Sequence, residues 1–352
     1  MEAAIPAYEV GAEIGRGAFG VVYKGHHRKL DRTVAIKQLP RALAADPAVQ
    51  ERFLVEARTA AALQHPNVVP VYDFVERDGL CLLIMEFVEG GTLTDHAAAA
   101  RLAPVEACTV IAGVLDALHY AHGQGVVHRD VKPDNIMLSR EGAPKLADFG
   151  IAKILGSSAT ATAAGTVMGT PAYMAPEVAL GDEASPASDV YSCAAVLYEL
   201  LSGTLPHAPA TTATATLVRI VNDPPAPLAG TAANVPPALA ALVMSALSKN
   251  PTQRPSASAF ATQLRSFGEH HEPALAAAAP FDALRTVAPR GVPKVDAAPA
   301  VARSRRRGLL VAVAAAAALL VGAGVFAAFS GDGETASPGT TPVVDEIGRA
   351  HV

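Results

Sequence analysis

Gly15-Arg16-Gly17-Ala18-Phe19-Gly20-Val21-Val22 has the spacing G-x-G-x-x-G-x-V, in which missing side chains let a backbone turn approach a polyphosphate closely. A dinucleotide-binding turn uses similar glycines, but it requires a helix next and an acidic residue about 20 positions on to hold a ribose. Here a β-like run follows, and Lys37 arrives in Val34-Ala35-Ile36-Lys37. A lone lysine in a strand is ordinarily a solvated edge charge, so its meaning depends on a partner. Glu56 supplies one. It falls three residues after Phe53 and four before Ala60, beside the core-facing stripe of a helix, where a carboxylate needs a cation. Downstream come His128-Arg129-Asp130-Val131-Lys132-Pro133-Asp134-Asn135, then Asp148-Phe149-Gly150, then Ala175-Pro176-Glu177. Their joint occurrence in this order by chance is negligible.

Together these motifs resemble the signature set of the protein-kinase superfamily, over about residues 8–267. Lys132, two residues after Asp130, is the form found in serine/threonine kinases, and the ensemble is similar to the bacterial transmembrane, eukaryotic-like (Hanks-type) Ser/Thr kinases. The resemblance implies an α+β, bilobal fold, with a small β-rich lobe before a larger helical one. It implies ATP as a ligand and Mg²⁺, or Mn²⁺, as cofactor. Lys37 would hold the α and β phosphates, oriented by Glu56. Asn135 and Asp148 would ligate the metal, whose hardness favours oxygen donors. Asp130 would accept or orient the substrate hydroxyl proton, and Lys132 would neutralise charge on the transferred phosphate. Ile14, Gly15, Gly17 and Gly20 would cover the nucleotide, Val22 and Ala35 would sandwich the adenine, and Glu86 and Val88 would offer it backbone groups beside a gatekeeper, Met85. Glu177 and Arg254 match the family's structural ion pair. Ala194 stands where the family usually has glycine, which predicts local repacking.

The elements that must position these residues are legible in outline. Short β-like runs occupy residues 8–72, among them Val21-Val22-Tyr23 and Thr33-Val34-Ala35-Ile36. Asp46-Pro47 signals a helix start, and Val49, Phe53, Ala57 and Ala60 recur at helical spacing behind it. Cys81 to Phe87 reads as a buried strand, and Val105 to His122 and Val190 to Leu201 as helices. The cysteines, Cys81, Cys108 and Cys193, show no CxxC and no paired histidines, so buried thiols are expected, with neither zinc nor disulfide.

The net charge of the 352 residues is −5, and basic residues gather only at 303–307, so nucleic acid is not expected as a partner. Residues 268–307, rich in Ala and Pro, read as a tether ending in that basic cluster. Residues 308–329 read as a transmembrane helix, because Leu309 to Phe329 carries no charge over 21 residues, about the length that spans a ~30 Å hydrocarbon core. Arg303, Arg305, Arg306 and Arg307 precede the span, while Asp332 and Glu334 follow it. This asymmetry predicts a cytoplasmic kinase domain, with a short extracytoplasmic tail at 330–352 in a single-pass cell-membrane protein. Glu346 to Val352 matches the translation of a common sequencing adapter, GAGATCGGAAGAGCACACGTC, so a truncated tail is expected, with genuine sequence ending near Asp345.

The activity expected is ATP-dependent phosphorylation of Ser/Thr on proteins, including autophosphorylation in membrane-linked signalling. A homodimer would serve trans-autophosphorylation. Ser157, Ser158, Thr160, Thr162 and Thr166 are the candidate activation-segment acceptors, Thr162 and Thr166 ahead of the rest, with Arg129 the cation to pair their phosphates, while Thr170 in Gly169-Thr170-Pro171 is expected to help form the substrate-hydroxyl site. A pseudokinase scaffold is the alternative, and its defining defect, a missing transfer residue, is not seen. A small-molecule phosphotransferase would share the base and metal residues but normally lacks a long segment ending in Ala175-Pro176-Glu177.

Overall fold

A computed structural model describes residues 1, 3–17, 20–40, 47–77, 79–149, 171–229 and 235–275, with the backbone alone at 47–49, 52, 56 and 269–275. Five antiparallel strands form the first layer: β1 (Tyr8–Gly17), β2 (Gly20–His27), β3 (Arg32–Gln38), β4 (Val71–Arg77) and β5 (Leu80–Glu86), in the spatial order β1-β2-β3-β5-β4. The central strands are buried on both faces. Val34, Ile36, Leu82 and Ile84 pack under Tyr8 on one side, whereas Ala35 and Met85 belong to a separate cluster with Val69 and Val88 on the other. Side chains alternate across a strand, so Lys37 lies on the same face as Ala35. Helix α1 (Pro47–Ala62) covers the remaining flank, where Phe53 and Ala57 meet Cys81 and Leu83.

The second lobe is helical. Helix α2 (Leu93–Ala99) begins with a capping box, in which Asp95 N–H donates to Thr92 Oγ1 and Thr92 N–H to Asp95 Oδ2. Helix α3 (Pro104–Gly123) starts with Pro at its first turn, and its apolar residues recur at 110, 111, 114, 115, 118 and 121, one continuous inward stripe. Two short strands, β6 (Ile136–Leu138) and β7 (Pro144–Leu146), form a hairpin beside it. After the short α4 (Pro176–Ala179) comes α5 (Pro186–Ser202), buried along nearly its whole length. Gly203 ends α5 in the left-handed region at φ 74°, which favours glycine, and a Cβ there would have to push aside the end of the Arg101 side chain, which donates to the Ser202 carbonyl. Helices α6 (Ala213–Asn222), α7 (Pro237–Ala246) and α8 (Ala257–Leu275) complete the lobe.

Ala194 sits at 0% exposure inside this core, beside Val190, Leu197 and Tyr198, its methyl group part of the packing. The three cysteines are buried and unpaired, and burial pushes the Cys108 thiol up to about 12. Among the described residues no helix is long and apolar enough to cross a membrane. Helix α8 runs on to Leu275, so the tether expected at 268–307 begins as helix, carried on from turns that Phe260, Leu264 and Phe267 anchor in the core; the rest of it, the span expected at 308–329 and the tail at 330–352 lie outside the described residues.

Candidate active site

A cleft of about 480 Å³ separates the sheet from the helical lobe. Its roof is β1 and β2, which contribute Ile14, Gly15, Gly17, Gly20 and Val22. Gly20 is the glycine that the fold itself demands. Its φ is +128°, and a Cβ would meet the Gln38 carbonyl oxygen at 1.9 Å. A Cβ on Gly17 would meet nothing within 4 Å, so its missing side chain leaves open space over the cleft. Ala35 and Lys37 descend from β3, and Glu86 and Val88 border the cleft where β5 leaves the sheet. Every nucleotide-binding residue expected from the sequence therefore lines this one cavity, as do Val69, Met137 and Ala147, which were not anticipated. Val69 lies far in sequence from the motifs, whereas Met137 and Ala147 sit within two residues of Asn135 and Asp148, and that adjacency with their apolar character is the signal that could have marked them.

Lys37 is almost fully buried, and its ammonium lies 2.7 Å from Asp148 Oδ2. The side chain of Glu56, its expected partner, lies outside the described residues; the backbone there is helical. Asp148 adopts φ 63° and Arg129 φ 72°, left-handed conformations that cost non-glycine residues energy and cluster at functional sites. Each is held by its surroundings. His128, wholly buried, bonds the Ala147 carbonyl through Nε2 at 2.9 Å and packs edge-on against Phe149. The backbone N–H groups of His128 and Arg129 both donate to the Asp189 carboxylate at 2.8 Å, and His122 Nε2 shares that carboxylate, also at 2.8 Å.

On this loop Asp130 Oδ2 receives Lys132 Nζ at 2.6 Å and Asn135 Nδ2 at 3.0 Å. Asn135 Nδ2 also donates to the Asp130 carbonyl at 2.8 Å. Both side-chain bonds of the Asn135 amide nitrogen thus go to Asp130. Asn135 and Asp148 both line the cleft, one amide oxygen and one carboxylate, a donor set suited to a hard cation that draws its other ligands from phosphate and water. Among the described residues no three His, Cys, Asp or Glu side chains cluster as a protein-only metal site.

Asp189 and His122 were not singled out for the site, because their contacts span 60 to 67 residues of sequence. Below the loop, Arg254 grips Glu177 with two bonds, Nη1 to Oε1 at 2.7 Å and Nη2 to Oε2 at 2.8 Å. Burial alone would push the Glu177 carboxyl up, but the bonds from Arg254 and Ser188 outweigh it and hold it below the usual carboxylate range. Arg129 has a neighbour of its own, Glu183 Oε1 at 3.6 Å. The expected phosphate acceptors at 157–166, together with Gly150 and Thr170, lie outside the described residues.

The protein kinase domain family matches residues 8–264, and the chain belongs to that family. Within it, the chain is similar to bacterial serine/threonine kinases. It is 42% identical over 255 residues to the serine/threonine-protein kinase PknB of Mycolicibacterium smegmatis, covering 70% of this chain and 40% of that protein. It is 40% identical over 271 residues to the serine/threonine-protein kinase pkn3 of Myxococcus xanthus, covering 73% and 49%. A probable serine/threonine-protein kinase of Streptomyces coelicolor is 39% identical over 253 residues, covering 70% and 37%. The chain therefore spans between about two fifths and half the length of these relatives.

Proposed function

We propose that this chain is an ATP-dependent serine/threonine protein kinase that phosphorylates proteins, itself included. One observation carries the reading: Lys37, Lys132, Asn135 and Asp148, types that grip phosphate, neutralise charge and ligate a cation, line one cleft, and Asp130, a carboxylate able to position a hydroxyl, is hydrogen-bonded to Lys132 and Asn135. Phosphoryl transfer asks a protein mainly for positioning and charge neutralisation. Lys37 exchanges Asp148 for the α and β phosphates when ATP enters. Asp130 holds the incoming Ser or Thr hydroxyl and accepts its proton, while Lys132 lies against the same carboxylate, within reach of the moving phosphoryl group. Asn135 and Asp148 would hold Mg²⁺ or Mn²⁺, which on binding offsets phosphate charge.

Residues 308–329 make the chain a single-pass membrane protein with the kinase domain in the cytoplasm, a reading supported by the arginine cluster before the span. Two chains meeting on one membrane would favour trans-autophosphorylation of the segment ending at Glu177. Arg129 then binds the new phosphate, whose charge of about −1.5 to −2 outcompetes a single exposed carboxylate such as Glu183.

The test is transfer of labelled phosphate from ATP with Mg²⁺, for the full chain and for residues 1–270. Wild type should label itself on Ser/Thr, and Lys37→Met or Asp148→Ala should abolish labelling. Nucleotide binding without transfer to itself or to a generic basic protein would make the chain a scaffold.

A further inference from the structure

Lys145 has no part in the chemistry above. It is the middle residue of β7, between buried Pro144 and Leu146, and strand alternation turns it away from the helical core. Its ammonium donates to Glu86 Oε2 at 2.9 Å, with only 19% and 27% of the two side chains exposed. Glu86 is the last residue of β5, at the junction of the two lobes, and its backbone N–H is held by the Pro70 carbonyl at 3.0 Å. The ion pair therefore ties the helical lobe to the connection between lobes, behind the cleft.

It is one end of a longer seam. Asn67 Nδ2 donates to the Pro144 carbonyl at 2.7 Å. Leu146 N–H donates to the Asn67 carbonyl at 2.8 Å, and Val69 N–H to the Leu146 carbonyl at 2.9 Å. The stretch from 144 to 148 consequently grips the small lobe twice, at the rear through Lys145 and Glu86, and at the front through Asp148 and Lys37. The front pair must change partners when phosphates arrive. The rear pair uses the Glu86 side chain, whereas the nucleotide is expected to take only that residue's backbone groups, so the pair can persist.

We propose that the Lys145–Glu86 pair is a rear latch that holds the nucleotide cleft preformed while the Lys37–Asp148 pair is exchanged for ATP, making Lys145 a positioning residue for nucleotide binding. The proposal rests on the kinase reading above. A preorganised site spends less of its binding energy on ordering, so the latch acts on nucleotide affinity more than on the transfer step.

The experiment measures binding of Mg²⁺ with a non-hydrolysable ATP analogue by calorimetry, alongside steady-state kinase kinetics, on the full chain. Lys145→Met should weaken analogue binding and raise KM for ATP about 3- to 10-fold, with kcat changed less than about twofold and the melting temperature near wild type. Lys145→Arg should retain most of the affinity. Glu86→Lys and Lys145→Glu should each behave like Lys145→Met, and the two combined should recover to within about twofold of wild type. Unchanged affinity in Lys145→Met, or a faster kcat at unchanged KM, overturns the latch. A combined variant no better than its parents overturns the pairing. A wild-type chain that binds no analogue instead defeats the kinase reading, a result distinguishable from all of these.

Discussion

The two walls of the cleft are built on different principles. The small-lobe wall is local: Ile14, Gly15, Gly17, Gly20, Val22, Ala35 and Lys37 line the cleft through strand periodicity and two hairpins, all within 24 residues. The large-lobe wall is long-range. Its loop from His128 to Asn135 has almost no regular structure, and its strained backbone at Arg129 is held by a carboxylate 60 residues away. A sheet thus positions groups by pairing neighbours, whereas a loop on a helical lobe needs buried polar anchors. Substitution should therefore damage the large-lobe wall severely through remote residues and the small-lobe wall mildly through local ones.

The largest effect is expected where a buried pair is broken. Arg254→Ala leaves Glu177 without its bidentate partner, and loss of one member of such a pair costs about 3–5 kcal/mol, read by chemical denaturation. A loss under about 1 kcal/mol would mean that the helical lobe does not depend on this anchor. Asp189→Ala comes next. It strips three donors of their acceptor, the His122 ring and the N–H groups of His128 and Arg129, each about 1–3 kcal/mol when left unsatisfied. Stability should fall by about 3 kcal/mol, and kcat by more than KM changes, because the loop carrying Asp130 loses its shape while the roof does not. Equal damage to KM would erase the contrast between the walls.

A third anchor responds to pH. His207 is buried beside Tyr191 Oη and Lys249 Nζ, with Asp223 also near. Burial first, and Lys249 second, push the imidazole down from its usual 6.5 to about 4. The unfolded chain then binds the extra proton between those values, so stability is full above pH about 6.5 and declines as pH falls towards 4, by up to about 3 kcal/mol. His207→Phe should flatten the stability curve across that window, and an unchanged slope would assign the pH sensitivity elsewhere. The smallest effect belongs to the small lobe. Gly17→Ala adds a Cβ that meets nothing within 4 Å, so the fold absorbs it, while the new methyl group takes up space that the glycine leaves open over the cleft. KM for ATP should rise several-fold with kcat retained. A collapse of kcat would show that the roof, too, serves the transfer step.

The same division explains what could be read without coordinates. The lobes, α1, α3, α5 and strands β2, β3 and β5 follow from hydrophobic period and from start signals such as Asp46-Pro47, because those patterns report on neighbours three or four residues apart. The motif residues at 15–22, 37, 128–135 and 148 were legible because phosphate chemistry restricts each to one or two residue types. Tertiary structure alone decided that Asp189 and His122 hold the catalytic loop, that Val69 lines the cleft, and that Lys145 reaches Glu86. Those contacts join elements about 20 to 70 residues apart, or more. No local periodicity encodes them, and only the packing of the two lobes brings them within hydrogen-bonding distance.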